Sequence, residues 1–151
     1  MNNIKTQSLF LLLVLGGGTL IGFLTGPDAW FAGLAKPAFN PPGWVFAPVW
    51  TILYVLIAAA GWRTWQREPK STAMKLWMAQ LLLNFLWSPV FFAAHRIDAA
   101  LAVIVLMLAA IIAFIIVVKK QDKTAAWLFA PYAAWVSFAL VLNAALLFIN
   151  G

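Results

Sequence analysis

Apolar positions run almost unbroken through five stretches of this chain, at about 6–25, 44–65, 73–94, 99–118 and 125–149. Each is near the roughly 20 residues that carry an α-helix across a bilayer. None has an Asp, Glu, Lys or Arg at mid-span. The pattern predicts an all-α integral membrane protein, with residues 1–151 forming one bundle of five transmembrane helices. The first stretch follows Lys5 as a signal peptide would. Its length, and the lack of a small-x-small cleavage site after it, favour a retained first helix. The connection 26–43 is long and the others are short, so consecutive helices should pack antiparallel. No internal repeat stands out, which argues against an inverted-repeat transporter.

The long connection has its own pattern. Pro27-Asp28-Ala29-Trp30-Phe31-Ala32-Gly33-Leu34 places a capping aspartate ahead of an aromatic face. That predicts a short helix. Lys36-Pro37 and Asn40-Pro41-Pro42-Gly43-Trp44 follow, and prolines restrict both themselves and their predecessors. The result is a stiff, extended approach to the second span. Such a loop can close over the bundle as a lid. It can equally lie at the membrane surface, with Trp30 and Trp44 among the headgroups.

Three spans carry faces that mix amides with large rings. On the third, Gln80, Asn84, Trp87 and Phe91 fall at i, i+4, i+7 and i+11, one side of a helix. On the second, Trp50 and Tyr54 are one turn apart, and on the fifth Tyr132, Trp135, Ala139, Leu142 and Asn143 share a broad face. Lipid offers an amide no partner, so the protein must supply one. These faces suit a cavity for a flat, mostly apolar ligand, and they suit a packed aromatic core as well. Trp30, Trp44, Trp62, Trp65, Trp77 and Trp127 lie near predicted span ends, where an interfacial belt accounts for tryptophan. Gly18 and Gly22 make a small-xxx-small pattern that permits close helix approach. Pro48, Pro89 and Pro131 fall within or near span ends, where each removes a backbone hydrogen bond.

Composition sharpens this reading. The chain is 65% hydrophobic and 9% charged, against about 25% charged in soluble domains. With no cysteine and one histidine, His95, it offers no thiolate and no set of zinc ligands. No serine has a histidine and carboxylate placed beside it, so conventional hydrolase or metal chemistry is unsupported. The net charge of +6 resides in the connections. That marks topology and lipid headgroup contact, not a nucleic-acid surface. Lys5, Arg63, Arg67, Lys70, Lys75, Lys119, Lys120 and Lys123 fall on one side of the five-span arrangement, and only Lys36 and Arg96 on the other. The bias predicts a cytoplasmic N-terminus in a bacterial cell membrane. Asp28, Glu68, Asp98 and Asp122 read as caps or solvated charges, with Asp98 capping the fourth span.

Four blocks together resemble the translocator protein family, also called tryptophan-rich sensory proteins or peripheral-type benzodiazepine receptors. They are Pro27-Asp28-Ala29-Trp30-Phe31; Lys36-Pro37 with Asn40 to Phe46, running on to Pro48-Val49-Trp50-Thr51-Ile52-Leu53-Tyr54; Gln80 to Phe92; and Pro131 to Ala139 with Leu142-Asn143. The resemblance implies a five-helix bundle, usually a homodimer, that binds protoporphyrin IX and haem as ligands and needs no cofactor. It implies a pocket under the first loop, lined by Trp30, Trp50, Asn84, Trp87, Trp135, Ala139 and Leu142. Tyr54, Phe91 and Phe138 are added to that set from the aromatic faces. Some relatives promote light-dependent breakdown of protoporphyrin IX, and the matching residues are Trp30 and Trp135. A light-dependent porphyrin-degrading enzyme and a non-transporting regulator of tetrapyrrole traffic are the alternative functions for this chain, and some relatives reside in an outer membrane. The chain departs from the pattern at Phe31, where many relatives have tyrosine, and at Ala38-Phe39, where the pair is often more aromatic. The C-terminal segment lacks the tyrosine and basic residue of the cholesterol-recognition pattern, so cholesterol is not an expected partner. Lys36 and Arg96 are the cations expected on the pocket side, available to ligand carboxylates.

Overall fold

In the computed structural model, which describes residues 3–151, five long helices follow the five apolar stretches. They are α1 (Asn3–Thr25), α3 (Gly43–Arg67), α4 (Thr72–Ala93), α5 (Ile97–Val118) and α6 (Lys123–Asn150). The short α2 (Ala29–Ala32) lies in the first loop. No strand occurs among the described residues. Helices α4, α5 and α6 pack side by side, with α3 against α6. Helix α1 lies on α3 through residues 3–16, then leans onto α4 through residues 17–25. Leu12, Phe23, Leu82 and Phe148 face outward and exposed, as side chains solvated by lipid do. The molecule is a multi-pass membrane protein.

Short polar side chains start the helices. Asp28 accepts the Phe31 N–H at 3.1 Å, Ser71 that of Met74 at 3.1 Å, and Asp122 that of Ala125 at 3.3 Å. Asp98 is not a cap. Arg96 precedes the helix, and Asp98 lies in the first turn with both oxygens on the Arg96 guanidinium, at 2.9 and 3.0 Å. Nor is Asp122 a solvated charge, since it is buried and takes two bonds from Arg63, at 2.9 and 3.1 Å. Burial pushes its carboxyl up, and the Arg63 guanidinium and Ala125 N–H more than offset that, leaving it below the ordinary carboxylate value. This pair ties α3 to the α5–α6 turn.

The prolines act differently from one another. Pro89 opens a π-helical turn, Pro89–Ala93, whereas Pro131 sits inside a continuous α6. A second π-turn, Leu12–Gly16, has no proline.

The bundle is solid at the end bearing the basic turns. Trp77, Ile57, Ile111, Phe114 and Phe129 are all fully buried there. The belt reading of Trp77 is therefore corrected. Gly61 leaves the space for its indole, since a Cβ at Gly61 would lie 2.3 Å from the ring. The indole N–H donates to the Ile57 carbonyl at 2.9 Å. Trp44 and Trp127 are exposed, as an interfacial belt requires.

Candidate functional site

At the loop end the helices part around a cavity of about 490 Å³. Of the residues expected at the site, Trp50 and Tyr54 reach it from α3, and Asn84, Trp87 and Phe91 from α4. Trp135, Ala139 and Leu142 reach it from α6. Helix α1 contributes Gly18 and Gly22, and the loop contributes Phe31. Gly18 serves packing within the chain, because a Cβ there would meet the Tyr54 ring at 2.4 Å. A Cβ added at Gly22 would meet nothing within 4 Å outside its own helix backbone. Phe46, Phe85 and Met107 also line the wall. Sequence reasoning passed over them because apolar residues on apolar helices carry no mark of which way they face. The lining includes no Asp, Glu, Lys, Arg or His. It is a low-dielectric chamber with flat walls and a few directed polar groups.

The two amides of the lining, Asn84 and Asn143, each belong to a chain of hydrogen bonds. In the first, the Gln80 amide donates to the Trp77 carbonyl at 2.8 Å. The Tyr132 hydroxyl donates to Gln80 Oε1 at 2.8 Å, and the Asn84 amide donates to that hydroxyl at 2.7 Å. In the second, the Trp87 indole donates to Asn143 Oδ1 at 3.0 Å, and Asn143 Nδ2 donates to the Ile97 carbonyl at 3.1 Å. Asn143 thus fixes the plane of Trp87, which stacks on Phe91 with centroids 4.9 Å apart. Trp135 has the opposite status, because its indole nitrogen is buried and has no partner. Its ring is held by edge and tilted contacts to Phe46 and Phe138, at 5.8 and 5.5 Å.

Two expected site residues stand outside the wall. Trp30 lies flat on His95, with centroids 4.3 Å apart and planes within 11°. His95 has φ 57°, a left-handed backbone that turns its ring toward the loop. Its Nε2 is 3.2 Å from Asp28 Oδ2. Asp28 is held below its ordinary value chiefly by the Phe31 N–H, against a smaller opposing push from burial, with His95 adding to the lowering. Phe138 packs on Phe39 and on Trp135 and supports the wall from behind.

The loop folds down over the bundle. Trp30, Phe31 and Leu34 pack with Phe91, Ile97, Ala100, Leu142 and Leu146. The Asn150 side chain pairs with both backbone groups of Ala35, at 2.9 and 2.8 Å. Lys36 folds back to donate to the Phe31 and Leu34 carbonyls, at 2.8 and 3.0 Å, and lies over the Phe31 ring. With Arg96 held by Asp98, both cations expected to meet a ligand are already engaged.

Comparison with known proteins identifies a family. The sequence profile described as the TspO/MBR family matches residues 10–149. A tryptophan-rich sensory protein of Cereibacter sphaeroides is 41% identical over 138 residues, 90% of this chain and 87% of that one. The tryptophan-rich protein TspO of Archaeoglobus fulgidus is 37% identical over 144 residues, 93% of this chain and 94% of its own. The human translocator protein is 35% identical over 119 residues, 76% and 70% of the two chains. On a match spanning nearly its whole length, this chain belongs to the TspO/MBR family.

Proposed function

We propose that this protein is a membrane receptor or carrier that binds porphyrin-like ligands, protoporphyrin IX and haem among them, in the loop-end cavity. One observation carries the reading. Three tryptophans from three helices, Trp50, Trp87 and Trp135, wall a single uncharged chamber of about 490 Å³. Flat walls reward a flat ligand through stacking and through burial worth about 25 cal/mol per Å² of apolar area. Because the lining is uncharged and Lys36 and Arg96 are engaged, ionised carboxylates of a porphyrin belong at the mouth and not in the chamber. A homodimer in a bacterial cell membrane, with the N-terminus in the cytoplasm, completes the proposal.

The test is a titration of the purified protein with protoporphyrin IX, read by tryptophan fluorescence. Saturable quenching with one ligand per chain is expected, and linear, unsaturable quenching contradicts the reading. Reporter fusions at Gly151 and in the 119–123 turn test the orientation. They should report opposite sides of the membrane, with the turn in the cytoplasm. The same side for both contradicts it.

A further inference from the structure

Resting on the cavity reading only for its consequence on a ligand, we propose that His95 and Asp28 form a pH-sensitive latch, which holds the first loop down over the chamber more tightly in acid than at neutral pH. Among the described residues, two polar side-chain ties join residues 26–42 to the rest of the bundle. Asn150 clasps the backbone of Ala35, and His95 Nε2 lies 3.2 Å from Asp28 Oδ2. The amide of the first tie does not titrate. Histidine is the side chain that changes charge between about pH 5 and 8. Only the second tie can therefore respond to pH, and both its side chains are partly exposed to the solution.

The backbone delivers the ring to this place. His95 follows the π-turn that ends α4 and takes φ 57°, uncommon for a residue other than glycine. Its ring lies flat on Trp30, with centroids 4.3 Å apart. Asp28 caps α2 with Oδ1 and meets His95 with Oδ2, so one carboxylate both starts the short helix and ties it down. Phe31, in the same helix, is part of the cavity wall. With a neutral ring the tie is one hydrogen bond beside a stack of two rings. A proton on the ring makes the bond charge-assisted and the stack a cation–π contact. Both gains exist only while the loop is down, so they are present in acid and lost as pH rises. Asp28 is held below its ordinary value, chiefly by the Phe31 N–H, and stays ionised throughout that range. The other charged side chains at this end are Arg96, Asp98 and Lys36. Arg96 is held by both Asp98 oxygens, and its bond keeps the Asp98 carboxyl down at about 2, so that pair does not titrate here. Lys36 is folded onto the Phe31 and Leu34 carbonyls. Asp28 is thus the partner left for a charged His95.

The experiment reads loop closure in reconstituted full-length protein without ligand. Backbone hydrogen exchange across residues 26–42 is followed at about pH 5.5 and about pH 8, on either side of histidine titration, and corrected for the intrinsic pH dependence of exchange. The parent should protect α2 about fivefold more in acid, the worth of one exposed charge pair and one cation–π contact together. His95→Asn keeps a residue type that accepts a left-handed backbone but does not titrate, and should make protection equal at the two pH values. Asp28→Asn keeps a helix cap while removing the charge, and should shrink the ratio to within about twofold. It serves as the test if His95→Asn does not fold. Release of bound protoporphyrin IX is then read by recovery of tryptophan fluorescence, as the parent rate divided by the His95→Asn rate. The ligand's own titration cancels in that quotient, which should fall by a similar factor in acid. Equal protection of the parent at both pH values overturns the latch, and so does a pH dependence undiminished in either variant. A release quotient unmoved by pH, beside protection that moves, overturns its hold on the cavity. Failure of the parent to bind protoporphyrin IX removes the cavity reading, and the exchange result still decides the latch.

Discussion

At the end of the bundle with the basic turns, Trp77 is fully buried, sits on Gly61 and donates to the Ile57 carbonyl. At the loop end, Trp135 has a covered N–H with no partner and one face in a cavity wall. The same side chain is a structural rivet in one half and an under-satisfied wall in the other. Buried polar groups are normally paired; Trp135 is an exception that lines the cavity, and the Trp62 indole N–H, toward the basic turns, is a second that does not. The contrast extends to the neighbours. Around Trp77 a glycine makes room so that the ring can fill it. Around Trp135, Ala139 and Gly22 leave room that the protein does not fill.

The largest expected effect tests the solid half. Trp77→Ala removes a whole buried indole and should cost about 3–5 kcal/mol of stability. Thermal unfolding in detergent would register it, while porphyrin affinity per folded molecule stays at the parent value. A matched loss of affinity in the folded fraction would break the division into two halves.

Much of that division was legible from residue spacing, and its failures have physical reasons. The spans were visible because length and hydropathy leave a helix little choice. Trp50, Asn84, Trp87 and Trp135 were visible as facing residues because an amide within apolar sequence requires a partner on one definite side. Trp77 was misjudged, since position near a span end says nothing of helix rotation. What buries it is a glycine on another helix, Gly61. Trp30 and Phe138 fell outside the wall for a related reason. The path of the loop depends on the left-handed turn at His95 and on the Asn150 clasp to Ala35, and both join segments far apart in sequence. The π-turn at Leu12–Gly16 has no signature among the leucines that form it.

A smaller effect compares the two tryptophans directly. Trp77→Phe leaves the ring volume largely filled but removes the N–H bond, and should cost about 1–3 kcal/mol. Trp135→Phe removes no bond and should leave the unfolding temperature nearly unchanged. It should hold porphyrin binding within roughly tenfold, about 1.4 kcal/mol. If the bound porphyrin is degraded in light, Trp135→Phe should slow that loss far more than it weakens binding, at equal occupancy and illumination. Degradation at the parent rate would remove the indole from the chemistry.

The smallest effect concerns the Arg63–Asp122 clasp. Asp122→Asn should cost about 1 kcal/mol, because Arg63 reaches solvent and is screened there. The folded carboxyl lies below its ordinary value, so its contribution is complete above the ordinary aspartate range. It is lost as pH falls through the lowered value. Unfolding temperatures of parent and variant should therefore converge in acid and separate toward neutrality. A constant difference across that range would show that the pair does not act through charge.

The most direct measurement of the central claim fills the cavity. Ala139 lies in its wall, and a phenyl ring there occupies the space offered to a ligand. Ala139→Phe is expected to fold with an unfolding temperature at or above that of the parent and to lose saturable quenching by protoporphyrin IX. Undiminished one-site quenching in a folded Ala139→Phe would contradict it and place the ligand outside the chamber.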